Sequence, residues 1–349
     1  MSTRKRAVRI GSRRISEDTP PLVIAEIGIN HEGSMEKARR MIADAHAAGA
    51  ECVKFQAHVV DDEMVPAARG VIPGNATQSI WNIMERCALT EAQDRALKAY
   101  AERLGMIYLS TPYSRAAADR LARLGVAAYK IGSGECNNYP LVEHIASFKK
   151  PVILSTGMND ISSIRPAVAI LERRRVPYVL LHCVSRYPTP YEAVGLGALA
   201  ELSHAFPGAL VGLSDHSVGI YTALGATALG ACVLEKHFTS DKTWPGPDVP
   251  LSLDPKELRD LIQGSKAIHA ARGGVKRVLR EEKPTIDFAY ACVVAIRDIA
   301  KGHRYTADNI WVKRPGTGEI RAADFKKILG KKAKSDVAKD SQLRWEEVV

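Results

Sequence analysis

Short hydrophobic runs alternate with longer segments of mixed polarity along the first 271 residues of the chain. Each run is almost continuously hydrophobic, which is typical of parallel strands that are covered on both faces. The pattern therefore predicts eight buried strands. They are residues 22–27, 52–56, 106–110, 127–131, 151–155, 178–183, 209–213 and 231–235.

The segments between these strands carry hydrophobic residues three and four positions apart, as amphipathic helices do. In residues 34–49, Ser34 is a candidate N-cap and Gly49 a candidate C-terminal stop. Further predicted helices are residues 161–175, 219–230 and 255–271. Strands and helices in alternation over about 250 residues predict an α/β fold of the (β/α)8 TIM-barrel type. A doubly wound open sheet is the alternative, but no Gly-x-Gly-x-x-Gly motif follows the first strand.

Three segments lie outside this repeating pattern. Residues 57–89 form a long insertion that we predict to be a loop, and loops of that length are often functional. Residues 7–15 predict a hairpin before the first strand. Residues 272–288 are charged and predict a linker, and residues 289–349 show short β-like runs that predict a small β-rich domain. The predicted catalytic barrel thus spans residues 1–271.

Polar residues collect where the predicted strands end. In a TIM barrel the carboxyl ends of the strands carry the active site, so these residues are candidates for binding and catalysis. They are Glu26, Lys54, Gln56, Thr111, Lys130, Ser133, Glu135, Ser155, Ser185, Tyr187, Ser214, His216 and His237.

His216 and His237 each follow a hydrophobic run, at the ends of the seventh and eighth predicted strands. Neutral imidazoles are common ligands of first-row divalent metals, and neighbouring strand ends can hold two imidazoles on one ion. The two residues therefore form a candidate metal site, with Asp215 and Glu235 as further ligands or as residues that orient the imidazoles. The alternative is a pair of hydrogen-bonded structural histidines.

Lys54 and Lys130 lie within hydrophobic strands, and a buried lysine needs an anionic partner. One interpretation is a pocket for a phosphate or carboxylate ligand. A second is a set of ion pairs to Glu26 and Glu135 inside the barrel. A third is a Schiff-base aldolase that uses Lys54, Lys130 or Lys236. The residues alone leave these three interpretations open.

The formal net charge of +10 is concentrated at the two ends of the chain. Residues 1–14 carry six basic and no acidic residues, and residues 272–349 carry 18 basic and 11 acidic residues. Aromatic residues make up only 6%, which argues against a nucleic-acid surface. No apolar run of about 18 residues is present, and the basic N-terminus lacks the apolar stretch of a secretory signal, so we expect no membrane partner. Six scattered cysteines predict buried free thiols and a cytoplasmic location.

A set of short motifs occurs in a fixed order along the chain. They are AEIGINHEG (25–33), VKFQ (53–56), KIGSGECNNYPL (130–141), ILSTGM (153–158), LLHC (180–183), YPTPYE (187–192), GLSDHS (212–217), LEKHF (234–238), PGPD (245–248) and KRPGTG (313–318). Any one of them is weak, but the ordered set resembles the bacterial-type sialic acid (N-acetylneuraminate) synthase family. KRPGTG is similar to part of that family's C-terminal antifreeze-like (SAF) domain, and the resemblance covers residues from about 20 to 349.

The resemblance implies a reaction. Phosphoenolpyruvate condenses with an N-acylated mannosamine-type sugar and water to give a nine-carbon 2-keto acid, and phosphate leaves by C–O cleavage. A divalent metal, most typically Mn²⁺ with Mg²⁺ or Co²⁺ as alternatives, is held by His216 and His237 and polarises the sugar aldehyde. By the same resemblance, Glu135 handles the proton of the attacking water and Glu26 acts on the sugar.

The resemblance also assigns substrate contacts. Positions that hold phosphoenolpyruvate match Lys54, Asn75, Thr111, Lys130, Ser133, Ser155 and Ser214. Tyr187 and Asp248 match sugar-binding positions, and Gln56 is a further substrate-binding candidate. Arg314 matches an arginine that reaches the N-acyl group in the other subunit's site, and Phe288 matches a position near that site. A homodimer with exchanged C-terminal domains is implied.

Ser185 departs from the family pattern, because the most similar members tend to have asparagine next to the tail of the sugar. A shorter side chain leaves room for a changed tail. N-acetylmannosamine, giving N-acetylneuraminate, is the expected sugar. The alternative is a 2,4-diacetamido-2,4,6-trideoxy-mannose that gives a legionaminic-type acid. The Schiff-base aldolase remains as a further alternative that the histidine pair fits less well.

Overall fold

The computed structural model of the chain describes residues 6–349, which form two compact units. The first unit ends at Gly273 and the second begins at Gly274. Within the described range, no helix is both long and apolar enough to cross a membrane.

The first unit contains a hairpin followed by eight parallel strands, all at positions where hydrophobic runs predict them. The hairpin pairs β1 (Ala7–Ile10) antiparallel with β2 (Arg13–Ser16). The parallel strands are β3 (Leu22–Gly28), β4 (Cys52–Ala57), β5 (Ile107–Pro112), β6 (Tyr129–Ile131), β7 (Val152–Ser155), β8 (Tyr178–Cys183), β9 (Leu210–Asp215) and β10 (Val233–His237).

The eight strands form a nearly closed barrel. Their hydrogen-bonded order is β5-β4-β3-β10-β9-β8-β7-β6, and β5 and β6 lie side by side without a ladder between them. The strands are buried almost throughout, because helices cover their outer faces and side chains fill the interior. The predicted (β/α)8 TIM barrel is therefore confirmed.

Helices follow the strands around the barrel. They are α1 (Met35–Ala47), α2 (Val60–Glu63), α3 (Ile80–Cys87), α4 (Glu91–Arg103), α5 (Arg115–Leu124), α6 (Tyr139–Ser147), α7 (Ile161–Arg173), α8 (Tyr191–Val194), α9 (Ala198–Ala205), α10 (Tyr221–Ala228) and α11 (Pro255–Ala271). The predicted N-cap is present, since the hydroxyl of Ser34 accepts a hydrogen bond from the backbone N–H of Lys37.

The insertion at residues 57–89 is not the loop that its length predicts, because it contains α2 and α3. Ser79 caps α3, and the helix buries Ile83 and Cys87 against Ile29, just after β3. Because Gly33 has no side chain, the backbone of α3 can approach the segment after β3 closely. A Cβ at Gly33 would lie 2.4 Å from the backbone carbonyl oxygen of Arg86. The insertion is thus packed onto the carboxyl end of the barrel.

The hairpin closes the other end of the barrel. Val8, Ile10 and Ile15 are buried in a cluster with residues near the amino ends of the barrel strands, such as Leu22 and Val233. All six cysteines are buried and unpaired, as predicted.

The second unit is small and rich in turns. Its elements are α12 (Lys283–Ala289), β11 (Cys292–Ala295), β12 (Ile310–Lys313) and α13 (Phe325–Ile328). β11 and β12 pair antiparallel, which confirms the two predicted β-like runs. Val293, Tyr305 and Ile310 belong to its separate hydrophobic core. The segment predicted to be a linker, residues 272–288, contains most of α12, and Pro284 lies in the first turn of that helix.

Candidate active site

A cavity of about 390 Å³ opens at the carboxyl ends of the barrel strands. Most of the side chains that the sequence singles out line it, because parallel strands end at the same face of the barrel. These residues are Glu26, Lys54, Gln56, Asn75, Thr111, Lys130, Ser133, Ser155, Ser185, Tyr187, Ser214, His216 and His237.

Two buried lysines and two buried glutamates form the floor of this cavity. Lys54 Nζ lies 2.8 Å from Glu26 Oε2 and 3.8 Å from Glu235 Oε1. Lys130 Nζ lies 3.6 Å from the same Glu235 oxygen. The predicted ion pair to Glu26 is present. The second carboxylate is Glu235, whereas Glu135 was the expected partner.

The four charges shift one another's pKa values. Burial raises the pKa of Glu26 from its ordinary 4.5 to about 7, against the opposing effect of the Lys54 ammonium. Burial also acts to raise the pKa of Glu235, but the charges of Lys130 and Lys54 outweigh it, so the net shift is downward. Burial lowers the pKa of Lys130 in spite of Glu235. Glu235 is therefore ionised at neutral pH, whereas Glu26 exchanges a proton near pH 7.

Hydroxyl groups surround the lysines. Lys54 Nζ donates to Thr111 Oγ1 at 3.1 Å, and Ser214 Oγ donates to Glu235 Oε1 at 3.1 Å. Ser155 Oγ is buried and has no hydrogen-bond partner among residues 6–349. An unpaired buried hydroxyl is costly, so this one indicates a missing polar partner. Because Lys54 and Lys130 line the same cavity, that partner is best supplied by an anionic ligand.

His216 and His237 lie on the wall of the same cavity, with their ring centroids 5.5 Å apart. His216 Nδ1 lies 2.7 Å from the backbone carbonyl oxygen of Val184. A carbonyl only accepts, so Nδ1 carries a proton, and Nε2 holds a lone pair when the ring is neutral. In the described part of the chain, His237 Nδ1 is buried without a hydrogen-bond partner, and Asp248 Oδ2 lies 3.6 Å away.

This pair fits a divalent metal. Burial and the neighbouring charge of His216 hold the pKa of His237 well below its usual range, which keeps the imidazole neutral, as a metal ligand must be. Between residues 6 and 349 no group of three or more His, Cys, Asp or Glu side chains is placed to hold a metal ion. Two imidazoles would therefore supply only part of a coordination shell, with ligand or water oxygens completing it.

A second cavity of about 360 Å³ adjoins the first. The residues that line both cavities are Gln56, Pro73, Asn75, Tyr113, Tyr187 and His237. Asp248 lines only the second cavity, and burial raises its pKa to about 6. Much of the remaining wall is hydrophobic. It is formed by Ile29, Ala76, Ile80, Ile83 and Met84.

Some lining residues escaped the sequence analysis. Gln56 Oε1 lies 3.0 Å from His58 Nε2, and His58 Nδ1 lies 2.8 Å from Glu63 Oε2, which extends the wall of the second cavity. The sequence contains a signal for His58. Side chains alternate between the two faces of a strand, and this alternation places His58 on the same face as Lys54 and Gln56. The same period places Glu235 with His237.

Three predicted site residues do not line either cavity. Glu135 lies in a short 3-10 turn, and its carboxylate accepts a hydrogen bond of 2.6 Å from Asn138 Nδ2. Phe288 and Arg314 belong to the second unit, where both are exposed. The roles predicted for these three residues stay predictions.

Comparison with known proteins identifies close relatives. The sequence profile of the NeuB family matches residues 41–277, and that of the SAF domain matches residues 290–349. The chain is 38% identical to an uncharacterized protein of Methanocaldococcus jannaschii over 98% of both chains. It is 36% identical to the N,N'-diacetyllegionaminic acid synthase of Campylobacter jejuni, over 93% of this chain and 98% of that protein. The crystal structure of the N-acetylneuraminic acid synthetase of Leptospira borgpetersenii matches with a TM-score of 0.74 at 31% identity, over 81% of this chain and 95% of that chain.

Proposed function

The chain belongs to the NeuB family of sialic-acid-type synthases, and we propose that it condenses phosphoenolpyruvate with an N-acylated mannosamine-type sugar. The enzyme is a phosphoenolpyruvate-dependent condensing transferase. The observation that carries the proposal is that Lys54, Lys130 and the unpaired hydroxyl of Ser155 line one cavity. Two ammonium groups and a free donor suit a small ligand with both a carboxylate and a phosphate.

The protein's own residues have distinct tasks in this reaction. Lys54 and Lys130 hold the anionic groups of phosphoenolpyruvate. Glu26 has a pKa of about 7, so it can give up or take up a proton at neutral pH while the carbon–carbon bond forms. Asp248 and Tyr187 line the second cavity, where we place the sugar. The family resemblance gives Glu135 the proton of the attacking water, and we keep that role as a proposal.

His216 and His237 would hold a divalent metal, which we propose to be Mn²⁺. When bound, the metal acts as a Lewis acid toward the aldehyde of the sugar. The neutral, buried imidazole of His237 and the buried imidazole of His216 both line the cavity, which supports this assignment. We further propose a homodimer in which Arg314 and Phe288 of one chain complete the site of the other. We expect the enzyme to work in the cytoplasm, in keeping with its six buried thiols.

N-acetylmannosamine is the first candidate sugar, with N-acetylneuraminate as its product. A 2,4-diacetamido-2,4,6-trideoxy-mannose is the second candidate. The hydrophobic wall of the second cavity favours it, because a 6-deoxy sugar presents a methyl group where N-acetylmannosamine presents a hydroxyl. The short Ser185 side chain is compatible with either tail.

The Schiff-base aldolase is not supported by the contacts. Lys236 lines neither cavity, and Lys54 and Lys130 are both engaged with glutamates. Borohydride treatment in the presence of substrate tests this directly, because a Schiff-base enzyme would be trapped covalently on a lysine.

Mass spectrometry of the products decides between the sugars. The purified protein is incubated with phosphoenolpyruvate, Mn²⁺ and each sugar in turn. A nine-carbon acid from N-acetylmannosamine establishes the first candidate, and turnover of only the diacetamido sugar establishes the second. The absence of a product and of released phosphate with both sugars would contradict the proposed function.

A further inference from the structure

Asp215 and Lys236 form an ion pair next to the histidine pair. They are directly opposite each other in the register of β9 and β10, and Lys236 Nζ lies 3.2 Å from Asp215 Oδ2. Both side chains are buried, with exposed fractions of 2% and 1%. Each residue immediately precedes a histidine of the candidate metal site. Successive strand residues point to opposite faces, so His237 faces the cavity and Lys236 faces away from it.

The ion pair also fixes the residue that follows His216. The backbone N–H of Ser217 donates to Asp215 Oδ1 at 2.9 Å, and its carbonyl accepts from Lys236 Nζ at 2.5 Å. Thr222, in the first turn of α10, donates to Asp215 Oδ2 at 2.5 Å. Ser217 is therefore held at both of its backbone groups, and the cluster joins β9, β10 and α10.

His216 is held from its other side as well. Its Nδ1 contacts the carbonyl of Val184, and its own carbonyl accepts a hydrogen bond of 2.9 Å from the backbone N–H of Thr189. Hydrogen bonds therefore hold the residue before His216, the residue after it, its own carbonyl and its ring.

A structural role alone explains this pair poorly. Removing two charges from water costs about as much as their attraction returns, so a hydrophobic pair at the same place would stabilise the fold equally well. A hydrophobic pair could not hold the Ser217 backbone or join the two strand ends at a fixed distance. The presence of a charged pair here, rather than a hydrophobic one, is explained if the orientation of the two histidines is needed for metal binding.

We propose that Lys236 and Asp215 are positioning residues, which hold His216 and His237 at the separation and orientation that bind a divalent metal. Neither residue touches the substrate, since neither lines a cavity. The inference rests on the metal site of the proposed function and gives Lys236 a role other than that of a Schiff-base lysine.

The test is the affinity of the full-length protein for Mn²⁺ alone, measured from the electron paramagnetic resonance signal of the free ion. We expect Lys236→Met to weaken Mn²⁺ binding about 10- to 100-fold, as loss of residues that orient metal ligands typically does. The affinity for phosphoenolpyruvate without metal should change less than about twofold, because Lys54 and Lys130 are untouched. A merely structural defect would change both affinities.

The matched control is Arg120→Met. Arg120 lies 3.5 Å from the fully buried Asp94 in the same barrel, and neither residue lines a cavity. This variant loses an ion pair to a buried carboxylate, although Arg120 itself is 15% exposed, and its Mn²⁺ affinity should stay at the wild-type value. Equal Mn²⁺ affinity of folded Lys236→Met and wild type would overturn the inference. If Lys236→Met does not fold, the variant Thr222→Val is used instead, because it removes one hydrogen bond to Asp215 and no charged group. Unchanged Mn²⁺ affinity of Thr222→Val would again overturn the inference.

The two proposals fail in different ways. A wild-type protein that binds no Mn²⁺ contradicts the metal site itself. A wild-type protein that binds Mn²⁺, with a Lys236→Met variant that binds it equally well, contradicts only the positioning role.

Discussion

Lys130 Nζ lies 3.6 Å from Glu235 Oε1, so the carboxylate on β10 reaches the ammonium on β6, across the interior of the barrel. Glu235 also lies 3.8 Å from Lys54. One carboxylate therefore contacts both lysines of the cavity floor. Its charge favours the charged form of each lysine when no anion is bound, and both lysines still line the cavity.

Removing one of these lysines should weaken phosphoenolpyruvate binding. For Lys130→Met we expect a rise of about 10- to 150-fold in the KM for phosphoenolpyruvate, which corresponds to the 1.5–3 kcal/mol of a charged hydrogen bond. Steady-state kinetics at saturating sugar measure it. The control is Lys98→Met, because Lys98 pairs with Glu102 on the surface of α4. An unchanged KM in folded Lys130→Met would contradict the anion site.

Metal content tests the histidine pair. His216→Ala and His237→Ala should each abolish bound Mn²⁺ and turnover together, because each removes one of the two imidazoles. Elemental analysis after gel filtration and a turnover assay measure the two losses. His144→Ala is the control, since His144 pairs with Asp119 and lines neither cavity. Full metal content in either histidine variant would rule out that residue as a ligand.

The buried Glu26 predicts a pH-dependent stability. Its pKa in the folded protein, about 7, is above its ordinary 4.5, so the folded chain binds this proton more tightly than the unfolded chain. The contribution of protonated Glu26 to the stability of the folded protein is fully present below about pH 4.5 and is lost as the pH rises through about 7.

Glu26→Gln removes this titration. The Tm difference, variant minus wild type, should therefore become more positive between about pH 5 and about pH 8. Differential scanning calorimetry at several pH values measures it, with the surface variant Glu102→Gln as control. A difference that is constant with pH would show that Glu26 is ionised throughout this range, and a difference that falls would also contradict the raised pKa.

Arg314 tests the exchanged dimer. Arg314→Ala should raise the KM of the sugar far more than the KM of phosphoenolpyruvate, because the expected contact is with the N-acyl group. Arg304→Ala is the control, as Arg304 is an exposed arginine of the same unit that donates to the Gly330 carbonyl. Equal effects on both KM values would argue against the contact.

Mixed dimers sharpen this test. Subunits with Arg314→Ala and subunits with His216→Ala are each expected to be impaired. If Arg314 acts in the other subunit's site, a heterodimer contains one intact site, and an equal mixture recovers about a quarter of the wild-type turnover. No recovery after subunit exchange would place Arg314 in its own chain's site.

The sequence predicted the barrel well because its strands are buried on both faces, which leaves an unmistakable run of hydrophobic residues. It predicted most of the cavity for a related reason, since strand ends converge in any closed parallel barrel. The helix α3 was missed because the length of the insertion suggested a loop. Its signal was present in the Ser79 cap and in the spacing of Ile83 and Cys87.

The pairing of charges was harder to predict. Lys130 lies near Glu135 in the sequence, but Glu235 is its partner in the structure. Which carboxylate reaches across the barrel depends on the register of β10 against its neighbours, and register is a tertiary property. Likewise, nothing in the order of residues shows that Asp215 and Lys236 are directly opposite each other.

Because the hairpin of β1 and β2 lies at the end of the barrel opposite the two cavities, substitutions at the two ends can change different properties of the protein. It fills the amino end of the barrel with Val8, Ile10 and Ile15, whereas every residue that lines the two cavities lies toward or beyond the other end. Substitutions in the hairpin can thus change the melting temperature without changing the sugar specificity. A library randomised at these three positions should yield proteins that melt at different temperatures yet make the same product.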